Sequence, residues 1–142
     1  MAGSRLEFFL KSVGYPDRAP DGCVSFTLRV DGVEVLAEEA EGRLVLSCAL
    51  TDDESILPVL ATYAAGRMLK EGAALTYGRR ATVDERPSAF LWQEAPSDFE
   101  GAELTRFFEN FMDSCDWWRA RVETLREEAS AGAVPETMVI RP

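Results

Sequence analysis

A single long amphipathic stretch sets the strongest condition on the fold. In LTRFFENFMDSCDWWRARVETL, apolar side chains fall at Leu104, Phe107, Phe108, Phe111, Met112, Cys115, Trp118, Val122 and Leu125, the three-and-four spacing that lines one face of a helix. Arg106, Glu109, Asp113, Asp116, Arg119, Glu123 and Arg126 take the opposite side. Each large apolar side chain gives about 1.5 to 3 kcal/mol on leaving water completely, so six turns of stripe demand a broad apolar partner surface. A chain of 142 residues is most economically one domain with a core large enough to stand without staples.

The strands that could form that surface come first. An opening helix from Ser4 has Leu6, Phe9, Leu10 and Val13 as its inner face and Gly14 as its stop, with Ser4 as N-cap. Phe8 points away from that face and is either covered by another segment or left for a partner. After the loop Tyr15 to Gly22, CVSFTLRV alternates with Val24, Phe26, Leu28 and Val30 on one side, and Asp31-Gly32 suits a type I′ hairpin. Val33 and Val35 continue the inner face. Leu36, between two glutamates, falls on the wet face. Following Glu41-Gly42, RLVLSCAL turns Leu44, Leu46, Cys48 and Leu50 inward and Val45 outward, which completes an antiparallel meander with one face for the core.

The second helix opens at TDDESILP, where Thr51 with Glu54 has capping-box spacing and Ser55 is an equally good cap. Pro58 then falls in the first turn, where its missing N–H costs nothing. The run ILPVLATYAAGRML is apolar almost all round, and a helix that buries only one side does not look like that. It is either central within its own domain or covered on one side by a second copy. A second hairpin, Ala73 to Arg80 and Ser88 to Glu94, carries Tyr77, Phe90, Leu91 and Trp92. The expected fold is α+β, in the order α-β-β-β-α-β-β-α, with an antiparallel twisted sheet packed by helices. Residues 1–130 form the domain and 131–142 a tail, in which Met138, Val139 and Ile140 could add a short strand or stay loose.

Composition narrows the chemistry. With no histidine, Ser-His and Cys-His pairings and most zinc and iron sites are excluded. No glycine-rich phosphate loop precedes a helix. Asp52-Asp53-Glu54 is the sharpest carboxylate cluster, but acids at a helix start are ordinary. Arg79-Arg80 could clamp an anion, and reads more simply as surface charge beside a turn. The chain is expected to be no enzyme, with no catalytic residue, metal or cofactor. Twenty-five acidic against fifteen basic residues give a net charge of -10, which repels nucleic acid. No segment approaches a membrane span of about 18 unbroken apolar residues, so no membrane insertion is expected. Cys23, Cys48 and Cys115 are an odd, scattered set, read as reduced apolar fillers of a cytoplasmic protein. What remains is apolar surplus at Phe8, Leu36, Trp117 and the second side of helix 2. Trp117 with Arg121 four residues on forms a candidate stacking pair.

The element order resembles the class I type III secretion chaperones, the Tir-chaperone family, from about Leu6 to Val122. The likeness rests on Gly14-Tyr15-Pro16 closing the first helix, the Asp31-Gly32 hairpin, and Leu44 to Leu50 running directly into an apolar helix. Glu71-Gly72-Ala73-Ala74-Leu75 before the fourth strand also matches, as does Leu104, Phe107, Phe108, Phe111 followed by Cys115 and Trp118. Ala64-Ala65 stands where the family has an alanine-asparagine pair, and Ala95-Pro96 replaces a proline-rich exit from the last strand. The resemblance implies a cytoplasmic bacterial homodimer that binds the N-terminal segment of a secreted effector without ATP. An alternative is a regulatory protein of related fold that sequesters a transcriptional partner. By the facing of side chains, Phe8, Leu36, Val45 and Leu91 are candidates for effector contact. Leu57, Leu60, Ala64, Met68, Tyr77 and Trp92 are candidates for dimerisation.

Overall fold

The computed structural model describes residues 5–14, 25–80 and 84–139, with the side chains of residues 5, 7, 40, 65–71 and 130–139 outside the description. Helix α1 (Arg5–Ser12) leads into strands β1 (Ser25–Val30), β2 (Val33–Ala40) and β3 (Arg43–Thr51). A 3-10 turn (Glu54–Ile56), helix α2 (Leu57–Glu71), strands β4 (Ala74–Gly78) and β5 (Ser88–Ala95) and helix α3 (Gly101–Val139) follow. The order is the expected one. All five strands join one antiparallel sheet in the order β1-β2-β3-β5-β4, so β1 and β4 are its edges.

Local chemistry accounts for the turns. Asp31-Gly32 and Glu41-Gly42 both place two successive residues at positive φ, the requirement of a type I′ hairpin turn, and glycine in the second position removes the Cβ penalty. Gly14, also at positive φ, ends α1 where expected. The start of the second helix differs from expectation. Asp53 is the cap of the 3-10 turn, its Oδ1 accepting from the Ser55 amide at 2.9 Å, while Thr51 Oγ1 accepts from the Asp53 amide at 3.0 Å. Two short polar side chains in tandem satisfy the turn before α2 begins, and neither Thr51 nor Ser55 caps the helix itself.

One sheet face carries the core. Leu28, Val35, Ala37, Leu44, Leu46, Cys48, Leu91 and Ala95 are buried there with Leu6, Phe9 and Leu10 of α1 and the α3 stripe Leu104, Phe107, Phe111, Cys115, Trp118 and Val122. The β3 alternation slips at a bulge between Ala49 and Thr51, which leaves Leu50 half-buried at the margin of the core. At the start of α3, the Glu100 amide donates to Glu103 Oε1 at 3.0 Å, the back-bonding half of a capping box. Glu39, on the core side of β2, reaches the other helix: the Leu6 amide donates to its Oε1 at 3.0 Å. Helix α3 continues past Pro135 to Val139, so Met138 and Val139 are helical and form no strand; Ile140 lies outside the described residues. No helix of the described residues is long and apolar enough to cross a membrane.

Candidate protein interface

Helix α2 resolves the question its composition raised. Leu60 and Ala64, with Ile56 of the preceding 3-10 turn, face the chain's own core and are buried in it, while Pro58, Val59, Ala61 and Thr62 are open to solvent. Leu60, at 0% exposure, and Ala64 therefore leave the set of available dimer contacts, because α2 needs them to attach to its own domain. Leu57 is half-buried, and the Met68 side chain lies outside the described residues. Beside them, Tyr63 meets Trp117 edge-on at 6.1 Å, and the Arg121 guanidinium sits 5.3 Å from the Tyr63 ring and 5.0 Å from the Trp117 ring. The expected Trp117–Arg121 stack is present, and its third member ties α2 to α3.

Among the described residues four large apolar side chains stay exposed: Phe8 (38%), Val59 (41%), Tyr77 (42%) and Trp92 (36%). Phe8 is on the outer side of α1, whose inner side holds Phe9 edge-on to Phe108 at 5.5 Å. Tyr77 is on the edge strand β4. Trp92 stands on the sheet face away from the core, its Nε1–H donating to Thr76 Oγ1 at 2.8 Å, which holds the indole across β5 and β4. Val59 was not singled out from the sequence. Its signal was present, since it lies one position from the core residue Leu60 in a helix with no polar face.

The same outer sheet face holds a correction. Thr27, Leu36, Ser47, Trp92 and Ala74 run across the five strands in register, yet Leu36 is only 3% exposed. Arg80, just past β4, reaches this row. Arg80 Nη1 donates to Ser47 Oγ at 3.3 Å, and Asp84 holds the guanidinium through bonds of 2.9 and 3.0 Å while also accepting from the Arg80 amide at 2.9 Å. That pairing makes Arg80 a clamp where the sequence reads it as loose surface charge; the four-residue Arg80-to-Asp84 spacing was the available hint. The Arg80 hydrogen bond holds Asp84 below the usual carboxylate range. Leu91 is likewise no contact residue, being fully buried on the core side, whereas Val45 is half-buried on the outer side.

Two concave features flank these residues. A groove of about 610 Å³ runs between the end of β5 and the first turns of α3, with Phe99, Phe107 and Pro96 as its apolar lining and Glu94, Glu103 and Arg106 at its polar side. An open depression of about 600 Å³ includes Asp52, Asp84, Glu85 and Arg86. Asp52 there pairs with Arg86 at 3.2 Å and Asp53 is occupied as a cap. Among the described residues no three metal-ligating side chains converge.

The geometry is that of an α+β layer whose described residues leave separate exposed apolar sites. Solved structures share its fold. The chain is similar to the HopA1–SchA chaperone–effector complex at 16% identity and a TM-score of 0.59, covering 81% of this chain and 90% of that one. It is similar to the ExsC–ExsE complex at 18% identity and a TM-score of 0.59, covering 82% and 90%. It is also similar to the Yersinia pestis type III secretion chaperone SycH, solved with a stable fragment of YscM2, at 13% identity and a TM-score of 0.56, covering 81% and 98%. No family model and no curated protein sequence matches the chain. The fold is that of the class I type III secretion chaperones.

Proposed function

We propose that this protein is a type III secretion chaperone, a cytoplasmic homodimer that binds the N-terminal segment of a secreted effector and keeps it extended, soluble and ready for export without ATP. The observation that carries this reading is the combination of a fold shared with chaperone–effector complexes and four large apolar side chains left exposed on an acidic domain. Isolated exposed apolar residues are ordinary. Here two of the four, Tyr77 and Trp92, lie on the adjacent strands β4 and β5, and the outer edge of β4 has no strand partner among the described residues.

Two kinds of contact follow. The open side of α2, with Val59 at its centre and β4 packed beside it, suits a second subunit, with Tyr77 at the β4 edge as an aromatic anchor and Trp92 met round that edge on the opposite sheet face. Phe8, Val45 and the groove at Phe99 and Phe107 suit an extended client, whose apolar side chains enter the groove while its backbone adds to a free sheet edge. The net charge of -10 keeps the complex soluble while apolar surface is shared.

Light scattering at micromolar concentration tests the dimer, with an expected mass near twice 15.7 kDa; a single-chain mass overturns it. Co-expression with proteins encoded alongside it, then co-purification, tests the client. Recovery of a secreted protein through its N-terminal segment supports the chaperone. Recovery of a transcriptional regulator replaces it with the sequestering role.

A further inference from the structure

The seam between β2 and β3 is incomplete. Their ladder runs only from Leu36↔Ser47 to Ala40↔Arg43, although β2 starts at Val33 and β3 continues to Thr51, still paired with β5. The tip of the β1–β2 hairpin therefore parts from β3 and leaves an open cleft of about 370 Å³. Arg29, Gly32 and Glu34 of the hairpin line one side, Ala49 of β3 the other, and Arg80 and Arg119 complete the wall. Arg80 arrives along the outer sheet face, where it bonds Ser47, and Arg119 comes from α3, which covers the core face. Above Gly32 the space is open, with no atom within 4 Å of where a Cβ would stand.

The charge in this cleft is opposite to that of the molecule. Three arginines share its wall with one carboxylate residue, Glu34, in a chain whose net charge is -10. Arg80 is fixed in place: Asp84 grips its Nε and Nη2, Ser47 accepts from its Nη1, and its side chain is only 13% exposed. A guanidinium offers five N–H donors, so these three bonds leave two for an incoming acceptor, on a group that has already lost its rotamer freedom. Arg29 pairs with Glu34 in the open, a weak contact that an incoming anion can share. Arg119 is exposed and makes no ion pair among the described residues.

The form of the cleft selects its occupant. It is too open to enclose a free small ligand, which binding sites bury by about 70–90%. Beside it lies a strand edge, since β1 has no partner on its outer side among the described residues. A segment added there would carry alternate side chains over the outer face next to Thr27 and Arg29, with Cβ atoms about 4.5–5.5 Å away. We propose that the cleft takes the carboxylate of an aspartate or glutamate in an extended partner segment, and that this contact sets the segment's register on β1. The proposal rests on the reading of the domain as a binder of extended client segments. An acidic surface elsewhere disfavours the client's carboxylates, so an acidic residue has one preferred place, and charge gives specificity more than bulk affinity.

The test uses the full chain, labelled with nitrogen-15, and two blocked peptides that differ at one position, acetyl-Thr-Val-Glu-Val-Thr-amide and its glutamine counterpart. The backbone amide signals of Arg29, Gly32 and Ala49 should shift saturably with the glutamate peptide, and the glutamine peptide should bind roughly five- to tenfold more weakly. Added salt should narrow that difference. Arg29→Gln combined with Arg119→Gln, both at exposed positions, should abolish it. No shift with the glutamate peptide at millimolar concentration, equal affinities, or a double variant that still prefers glutamate overturns the proposal. Failure of the chaperone reading shows instead in light scattering and co-purification, and leaves the peptide comparison intact; equal affinities strike the cleft alone.

Discussion

Leu60→Ala and Val59→Glu, one residue apart on α2, separate the two sides of that helix. Leu60 is at 0% exposure in the chain's own core, so truncation removes its burial and leaves a cavity, a loss of about 2–5 kcal/mol. With a urea slope of about 2 kcal/mol per M, the midpoint should fall by roughly 1–2.5 M, leaving a folded majority in water if total stability is in the usual range of about 5–15 kcal/mol. Val59 is 41% exposed, and within one chain its replacement should change stability by no more than about 0.5 kcal/mol, since surface substitutions rarely do more. If a second subunit covers that side, an unpaired carboxylate is forced into the contact, which is strongly unfavourable. Urea unfolding followed by circular dichroism, alongside light scattering, reads both effects. Leu60→Ala should weaken the fold by the same amount at every protein concentration, and Val59→Glu should lower the mass while helix content is kept. A Leu60→Ala chain that unfolds with the wild type but loses mass would place that side chain between subunits and refute the assignment.

The Arg80 clamp carries a pH signature. Because Asp84 is held low by Arg80, the pair's contribution is complete above the unfolded carboxylate value of about 3.9 and disappears as pH falls through the lowered folded value. Asp84→Asn should therefore be the weaker protein at pH 7, and in urea melts the gap to the wild type should narrow as pH falls below the unfolded carboxylate value. Arg121→Met keeps the apolar stem but removes the charge from between Tyr63 and Trp117; thermal unfolding should show a loss of about 0.5–2 kcal/mol. Glu39→Ala strips the Leu6 amide of its acceptor, and hydrogen exchange should show faster exchange in α1, for a cost of about 0.5–2 kcal/mol.

Periodicity made the core side of this molecule readable. The α3 stripe from Leu104 to Val122, the inward alternation Leu44, Leu46, Cys48, and both Gly-containing turns are local patterns set by one element's own repeat. The outer sheet face was not readable in the same way. Leu36 has the alternation of a solvent-facing residue, yet it is buried on the sheet face that Arg80 reaches at Ser47. Helix α2 failed differently: its lack of a polar face announced two apolar sides but could not say which belonged to the home core. Leu60 went to the core and Val59 to solvent. The far end of α3 ran on through Pro135, against the usual tendency of proline to end or kink a helix.

The strand order carries a consequence for synthesis. Strand β3 sits at the centre of the sheet, yet its second neighbour is β5, paired from Leu44↔Ala95 to Thr51↔Ala89. At about 5–20 residues per second, the ribosome leaves β3 waiting for several seconds with one flank of amides and carbonyls bare. During that interval the half-built sheet is an adhesive template, and another nascent chain emerging nearby could anneal to it before the proper strand arrives.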